Sequence, residues 1–291
     1  MNAEERSNRI ESAALSRVTA IYAKALETAL KEKRAFLSKI KAIDEGRIKP
    51  PQYYVDRDMV DKWREGFVQQ LIRQEGIIDG IIKELNRAGV QAADVIKQSL
   101  REVYAVNRKE AAEIIAQSPE GMRAGISFAM PKGREIEVLM AKNESPFSKL
   151  AYENMGKNPV IRKRLQAELA QAAILGESQR EIIKRIRKVT GQSEYQARRV
   201  AQTERTRVQS QARWQVGQEA KEKGVRVVNE WSARMVNTRD SHAALDGKKK
   251  PQGEPFVTIW GNELRFPGDP QAPAREVINC HCVLIPDVEA E

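Results

Sequence analysis

The feature that most constrains this chain is a change of hydrophobic period at Gly224. Before it, apolar side chains recur every three or four residues. After it, Val225-Arg-Val-Val-Asn-Glu-Trp-Ser-Ala233 alternates, and Phe256-Val-Thr-Ile-Trp260, Gly261-Asn262 and Leu264-Arg-Phe266 read as a hairpin. Helices therefore come first and a small antiparallel sheet follows. A last strand is expected over Cys280–Ile285, closed by Pro286 and an acidic tail. Upstream, residues 3–43 read as one long helix without Pro or Gly inside, and a second run from Val60 to Leu85 stops at Gly89. A further helix is expected over 90–117. The segment 121–158 mixes Gly and Pro with short apolar stretches and reads as a hinge, with a short hairpin from 126–130 and 136–140. From Pro159 a helix runs to Gly176. Ser178-Gln-Arg-Glu181 is a capping box opening a short helix that ends at Thr190-Gly191, and Ser193-Glu-Tyr-Gln196 opens another running to about Lys223. The fold class is α+β. A helical arm over 1–120 is expected to dock a partner, since a long extended helix cannot bury its own apolar stripe. A compact domain over 159–291 follows, with helices at 159–223 packed on a sheet at 225–286.

Charge narrows the function classes. Of 50 basic and 40 acidic residues, segment 157–224 holds 16 basic and 7 acidic, so nearly all of the +10 lies there. Arg162, Lys163, Arg164, Lys184, Arg185, Arg187 and Lys188 form an electrostatic footprint for DNA phosphates; the alternative is a solvated helix face. The third helix is too long for a compact helix-turn-helix reader, and a sequence-specific DNA-binding regulator of the cytosol is the lesser reading. No apolar run is long enough for a membrane span, and the acids at Glu4 and Glu5 stand where a secretory signal would be basic. Two cysteines one residue apart exclude a disulfide framework and fit a reducing compartment.

Cys280 and Cys282 share one face of a strand while His281 points away, so the two thiols with His242 and a carboxylate such as Asp240 or Asp246 would make a tetrahedral zinc site. The second Cys/His pair of a strong zinc signature is missing, which favours the alternative: buried thiols packing as small hydrophobes, with no cofactor. A nuclease or phosphodiesterase using His242 as base and Arg239 on the phosphate lacks a second acid/base partner fixed by spacing. The preferred reading of this box is a structural corner, with Asp240 capping a short helix and Asp246-Gly247 forming a turn. Glu204 either pairs with Arg199 or Arg207 along its helix or, if buried, pins Arg239 or the His242 turn. Trp231 and Trp260 are expected in the core.

Taken together, Ala201-Gln-Thr203-Glu204-Arg-Thr, Trp231-Ser-Ala, Thr238-Arg239-Asp240-Ser-His242-Ala-Ala-Leu-Asp246-Gly247, Phe266-Pro-Gly-Asp-Pro270 and Asn279-Cys280-His-Cys282 resemble the phage head-morphogenesis family typified by the minor head protein of phage Mu. The resemblance covers about residues 145–286; His281 stands where the family usually carries an arginine. It implies a non-enzymatic minor capsid protein of a tailed phage or prophage, built in during procapsid assembly and acting in DNA packaging or ejection. Its expected place is the head interior at the portal vertex, after assembly in the host cytoplasm. Portal protein is the implied partner, with major capsid or scaffolding protein and non-specifically bound double-stranded DNA as further contacts, and no membrane.

Overall fold

The structure, a computed structural model, describes residues 2–141, 146–235 and 238–288. Residues 142–145 of the expected hinge and the end of the acidic tail lie outside the described residues. The helices are α1 (Ala3–Glu32), α2 (Arg34–Asp44), α3 (Arg57–Gln74), α4 (Ile77–Gln117), α5 (Pro119–Arg123), α6 (Arg134–Ala141), α7 (Pro146–Lys157), α8 (Pro159–Ile174) and α9 (Gln179–Glu222). Strand β1 (Val227–Ser232), helix α10 (Asp240–Ala243), strands β2 (Lys249–Pro251), β3 (Phe256–Val257) and β4 (Glu263–Leu264), helix α11 (Ala274–Val277) and strand β5 (Val283–Val288) follow. The α+β class holds: a long helical region precedes small antiparallel sheets.

Contacts divide these elements into two compact units, neither continuous in sequence. One joins residues 1–16, 94–151 and 198–291; the other joins 17–93 and 152–197. In the second unit the aliphatic periodicity is realised directly. Ile161, Leu165, Leu169 of α8 and Ile182, Ile186, Val189 of α9 are all buried, as are Ile77, Ile81 and Leu85 of α4. The apolar stripe of α1, including Val18, Tyr22, Ala25 and Ala29, is also buried within the protein, so the helix does not need an outside partner to cover it.

Several helix boundaries differ from expectation. The first helix breaks at Lys33, and the boundary expected at Gly89 falls instead at Gly76, whose φ of +52° suits the left-handed turn between α3 and α4. The Ser178–Glu181 capping box forms, with the Ser178 amide donating to the Glu181 carboxylate at 2.7 Å. The second box does not start a helix, because α9 runs through Gly191 and Ser193 without interruption. Its buried positions continue in step through Ile186, Val189, Ser193, Ala197 and Ala201, so tertiary burial outweighs the modest cost of Gly and Ser inside a helix. The Ser193 hydroxyl instead donates to Asn158 Oδ1 at 2.9 Å, holding the left-handed residue (φ 43°) that joins α7 to α8. The hairpin expected over 126–140 is absent: residues 126–130 take no regular form and 136–140 lie in α6.

In the first unit β1 is central to an antiparallel sheet of order β2-β1-β5, with Glu230 opposite both Lys249 and Ile285, while β3 and β4 pair Phe256 with Leu264. Strand β5 begins three residues later than expected and continues past Pro286, which an edge strand tolerates. Trp231, Leu245, Phe256, Leu264, Phe266, Val277, Leu284 and both cysteines form one core cluster. Trp260 was expected there but is half exposed, because it occupies the turn between β3 and β4, with the Arg275 guanidinium 5.0 Å from its ring centre.

Candidate functional site

The sequence boxes converge on one buried corner of the first unit. α10 carries His242, 1% exposed, edge-on to Trp231 with ring centres 5.1 Å apart. Its Nδ1 lies 3.5 Å from the sulfur of Cys280 and 3.5 Å from that of Cys282. On the other side of the ring, Nε2 lies 3.1 Å from Glu276 Oε2, a close approach outside hydrogen-bond geometry. Glu276, fully buried, accepts from the Ser241 hydroxyl at 3.0 Å and from Asn262 Nδ2 at 2.8 Å.

The cysteines are presented by a turn and not by strand pairing. Asn279 sits at φ 57°, its amide donates to Thr203 Oγ1 at 2.9 Å, and the Cys280 carbonyl accepts from Thr206 Oγ1 at 2.5 Å and from Gln202 Nε2 at 3.3 Å. These bonds to α9 replace the ladder bonds a strand would have made, and for that reason β5 starts later. The sharing of one side by both sulfurs, expected from strand geometry, is reached by a different backbone path. The Cys280 thiol is held below the ordinary cysteine range by its hydrogen bond with Cys282, while that same bond and burial push Cys282 well up. His281, half-buried between them, is pushed below the ordinary histidine range by burial and by Arg234, Arg205 and Arg239.

The remaining box residues build the walls. Arg239 donates to the carbonyls of Ile278, at 2.7 Å, and Arg275, fixing the turn ahead of the cysteines, and it is also the residue that precedes α10. Asp240 is therefore the first residue of that helix and not its cap, a correction to the expected role. Asp246 accepts from the Ala233 amide at 2.7 Å and the Gly247 amide donates to the Trp231 carbonyl at 2.8 Å, with Gly247 at φ 70°, so the expected turn is present. Glu204 pairs with Arg207 at 2.7 Å, both nearly fully buried, which selects the along-helix alternative over a contact with Arg239. Arg207 packs against Gly268, where a Cβ would come within 2.9 Å of the α9 backbone. Glu276, Arg213 and Asn107 were not found from the sequence. Arg213 donates to Asn107 Oδ1, to the Leu284 carbonyl and to Glu110, and nothing in a polar helix marks such a residue as buried.

The basic residues divide. Arg205, Arg207 and Arg213 are buried in the first unit. In the second unit Arg185 is clasped by Glu177 and Glu168, Arg162 pairs with Asp79 at 2.7 Å, and Arg164 bonds Gln192. Lys163, Arg164, Lys184, Arg187 and Lys188 are exposed, with Lys184 and Lys188 one turn apart on α9. No described helix is long and apolar enough to cross a membrane.

A helical framework closed over a small sheet by buried polar contacts, with His242 shut away from solvent, defines an α+β domain. Residues 163–285 match the family described as Phage Mu protein F like protein. The chain is 29% identical to minor head protein GP7 of Bacillus phage SPP1 over 216 residues, covering 68% of each chain. It is 35% identical over 152 residues to an NAD(+)–arginine ADP-ribosyltransferase, EFV, of Enterococcus faecalis, covering 47% of this chain and 31% of that one. It is also 41% identical over 56 residues to the uncharacterized protein YqbB of Bacillus subtilis, covering 19% and 18%. No solved structure gives a match.

Proposed function

We propose that this protein is a non-enzymatic minor component of the head of a tailed phage or prophage, associated with the portal protein and lying against packaged DNA. The observation that carries the reading is the use made of the family boxes: Thr203, Arg239, Asp246, Asn279 and their neighbours spend their polar groups on each other's backbone, as a scaffold does. A nuclease reading would need His242 and Arg239 free for a phosphate. His242 is buried and Arg239 is occupied by two carbonyls, so that reading is set aside. The named activity of the Enterococcus relative is not carried over, because the match spans under a third of that protein. Packaged DNA would be met through phosphates by Lys163, Arg164, Lys184, Arg187 and Lys188, without sequence preference.

Two measurements test this. Procapsids and mature particles from a producing strain should contain the chain in a few copies and release it with portal protein on gentle disruption; a chain found only in cytosol overturns the proposal. In filter binding, affinity should fall steeply with salt, and reversing the charge at Lys163, Arg164, Lys184 and Lys188 should flatten the slope by up to about four phosphates. An unchanged slope removes this face from the DNA.

A further inference from the structure

We propose that Cys280, Cys282 and His242 form a zinc site and supply three of its ligands. This goes beyond the capsid role and does not depend on it. Among the described residues these three side chains are the group able to hold a metal ion, all buried and with their ligand atoms within 4.8 Å of one another.

The distances favour an ion over hydrogen bonding alone. Zinc with Zn–S of about 2.3 Å and Zn–N of about 2.0–2.1 Å in a tetrahedron puts each sulfur about 3.5–3.6 Å from the nitrogen. Both sulfurs stand 3.5 Å from the same ring nitrogen, Nδ1. A neutral imidazole nitrogen that accepts has one in-plane lone pair, so a single S–H can use it well, and the second sulfur at the same distance is left only its bond to the other thiol. One ion shared by all three satisfies both approaches at once.

The far side of the ring fits the same assignment. Histidine ligands commonly give their other N–H to a carboxylate, which fixes the tautomer that leaves the ligating nitrogen unprotonated. Glu276 Oε2 lies 3.1 Å from Nε2, is fully buried, and is itself held by Ser241 and Asn262. Glu276 is thus a positioning residue for His242. The sequence lacked a second Cys/His pair; this carboxylate is what the structure supplies beside the three ligands.

The test uses the full chain purified without chelator. Elemental analysis should find about one zinc per chain. After zinc removal, Co(II) should give thiolate-to-metal charge transfer in the near ultraviolet together with the intense visible bands of a tetrahedral ion. Cys280→Ser/Cys282→Ser should lose the charge-transfer band, and Glu276→Gln should keep it but bind Co(II) about 10–100-fold more weakly. Absence of both zinc and the charge-transfer band in the parent protein overturns the site whether or not the cysteine variants fold. Equal zinc in the double-serine protein overturns it as well, since the metal would then sit elsewhere. Unchanged Co(II) affinity in Glu276→Gln overturns the positioning role.

Discussion

Helix α9 passes through both units and is built by opposite rules in each. Over Gln179–Ala197 its buried face is mainly aliphatic, with Ile182, Ile186, Val189 and Ala197 inside and charged residues outside. Over 204–213 the residues Glu-Arg-Thr-Arg-Val-Gln-Ser-Gln-Ala-Arg are all buried, polar ones included. The first stretch is stabilised by removing apolar surface from water. In the second, the charged groups, which are costly to bury alone, have partners: Arg213 with Glu110 and Asn107, Arg205 with Glu11 and Asn8, Arg207 with Glu204 and Gln211. A helix of high polarity is thus no sign of a solvated surface when its neighbours carry complementary groups.

The contrast is most exposed to test at Arg213. Arg213→Met keeps much of the side-chain volume but leaves the buried Asn107 Oδ1 and the Leu284 carbonyl without this donor and weakens the hold on Glu110, which still accepts from the Ala3 amide, and is expected to cost about 2–4 kcal/mol. Urea unfolding measures the loss, and hydrogen exchange should place it in residues 94–141 and 198–288. A cost under about 1 kcal/mol would mean that the buried network contributes no more than an apolar substitute. Leu165→Ala, in the aliphatic unit, is expected to cost about 3 kcal/mol through a cavity. Its exchange losses should concentrate in 17–93 and 152–197; uniform loss in both variants would dissolve the distinction between the units.

A smaller effect separates the units by pH. Tyr22, in the aliphatic unit, has its phenol pushed up to about 12 by burial and by the nearby Glu194 carboxylate. A raised folded value means that the neutral form is favoured in the folded state, so this contribution is complete below the ordinary value near 10 and is lost as pH climbs toward 12. About 2–3 kcal/mol should disappear over that range. Unfolding midpoints of the parent and Tyr22→Phe at pH 9 and pH 11 check it: the parent should fall further, and equal declines would place the alkaline sensitivity elsewhere. The smallest contrast lies between two glycines of similar backbone conformation. Gly268→Ala meets the α9 backbone at Arg207 and should cost about 2 kcal/mol or more, whereas Gly247→Ala, with open space around it, should cost about 1 kcal/mol for its left-handed backbone alone. Equal melting shifts would remove the close approach from the account.

Much of the architecture was legible because burial of apolar side chains leaves a periodic trace. The α8 helix with its Gly176 stop, the first capping box, the β1 alternation and the Asp246-Gly247 turn are local, and local rules reach them. The second capping box misled for an informative reason: Ser193 and Gly191 carry boundary signals, but burial on both sides keeps α9 continuous. Trp260 misled because alternation does not say which residue occupies the turn itself.

What the sequence by itself determined is the class and order of elements, the position of the charge, and that His242 and the Cys280/Cys282 pair are the unusual chemistry of this chain, since period, composition and spacing are one-dimensional quantities. Only the tertiary structure decided which charges are free and which are buried. It also decided that both sulfurs face one nitrogen of His242 and that Glu276 stands behind the ring. These outcomes depend on contacts between segments tens to hundreds of residues apart, and a hydrogen-bond partner at that distance leaves no periodic trace along the chain.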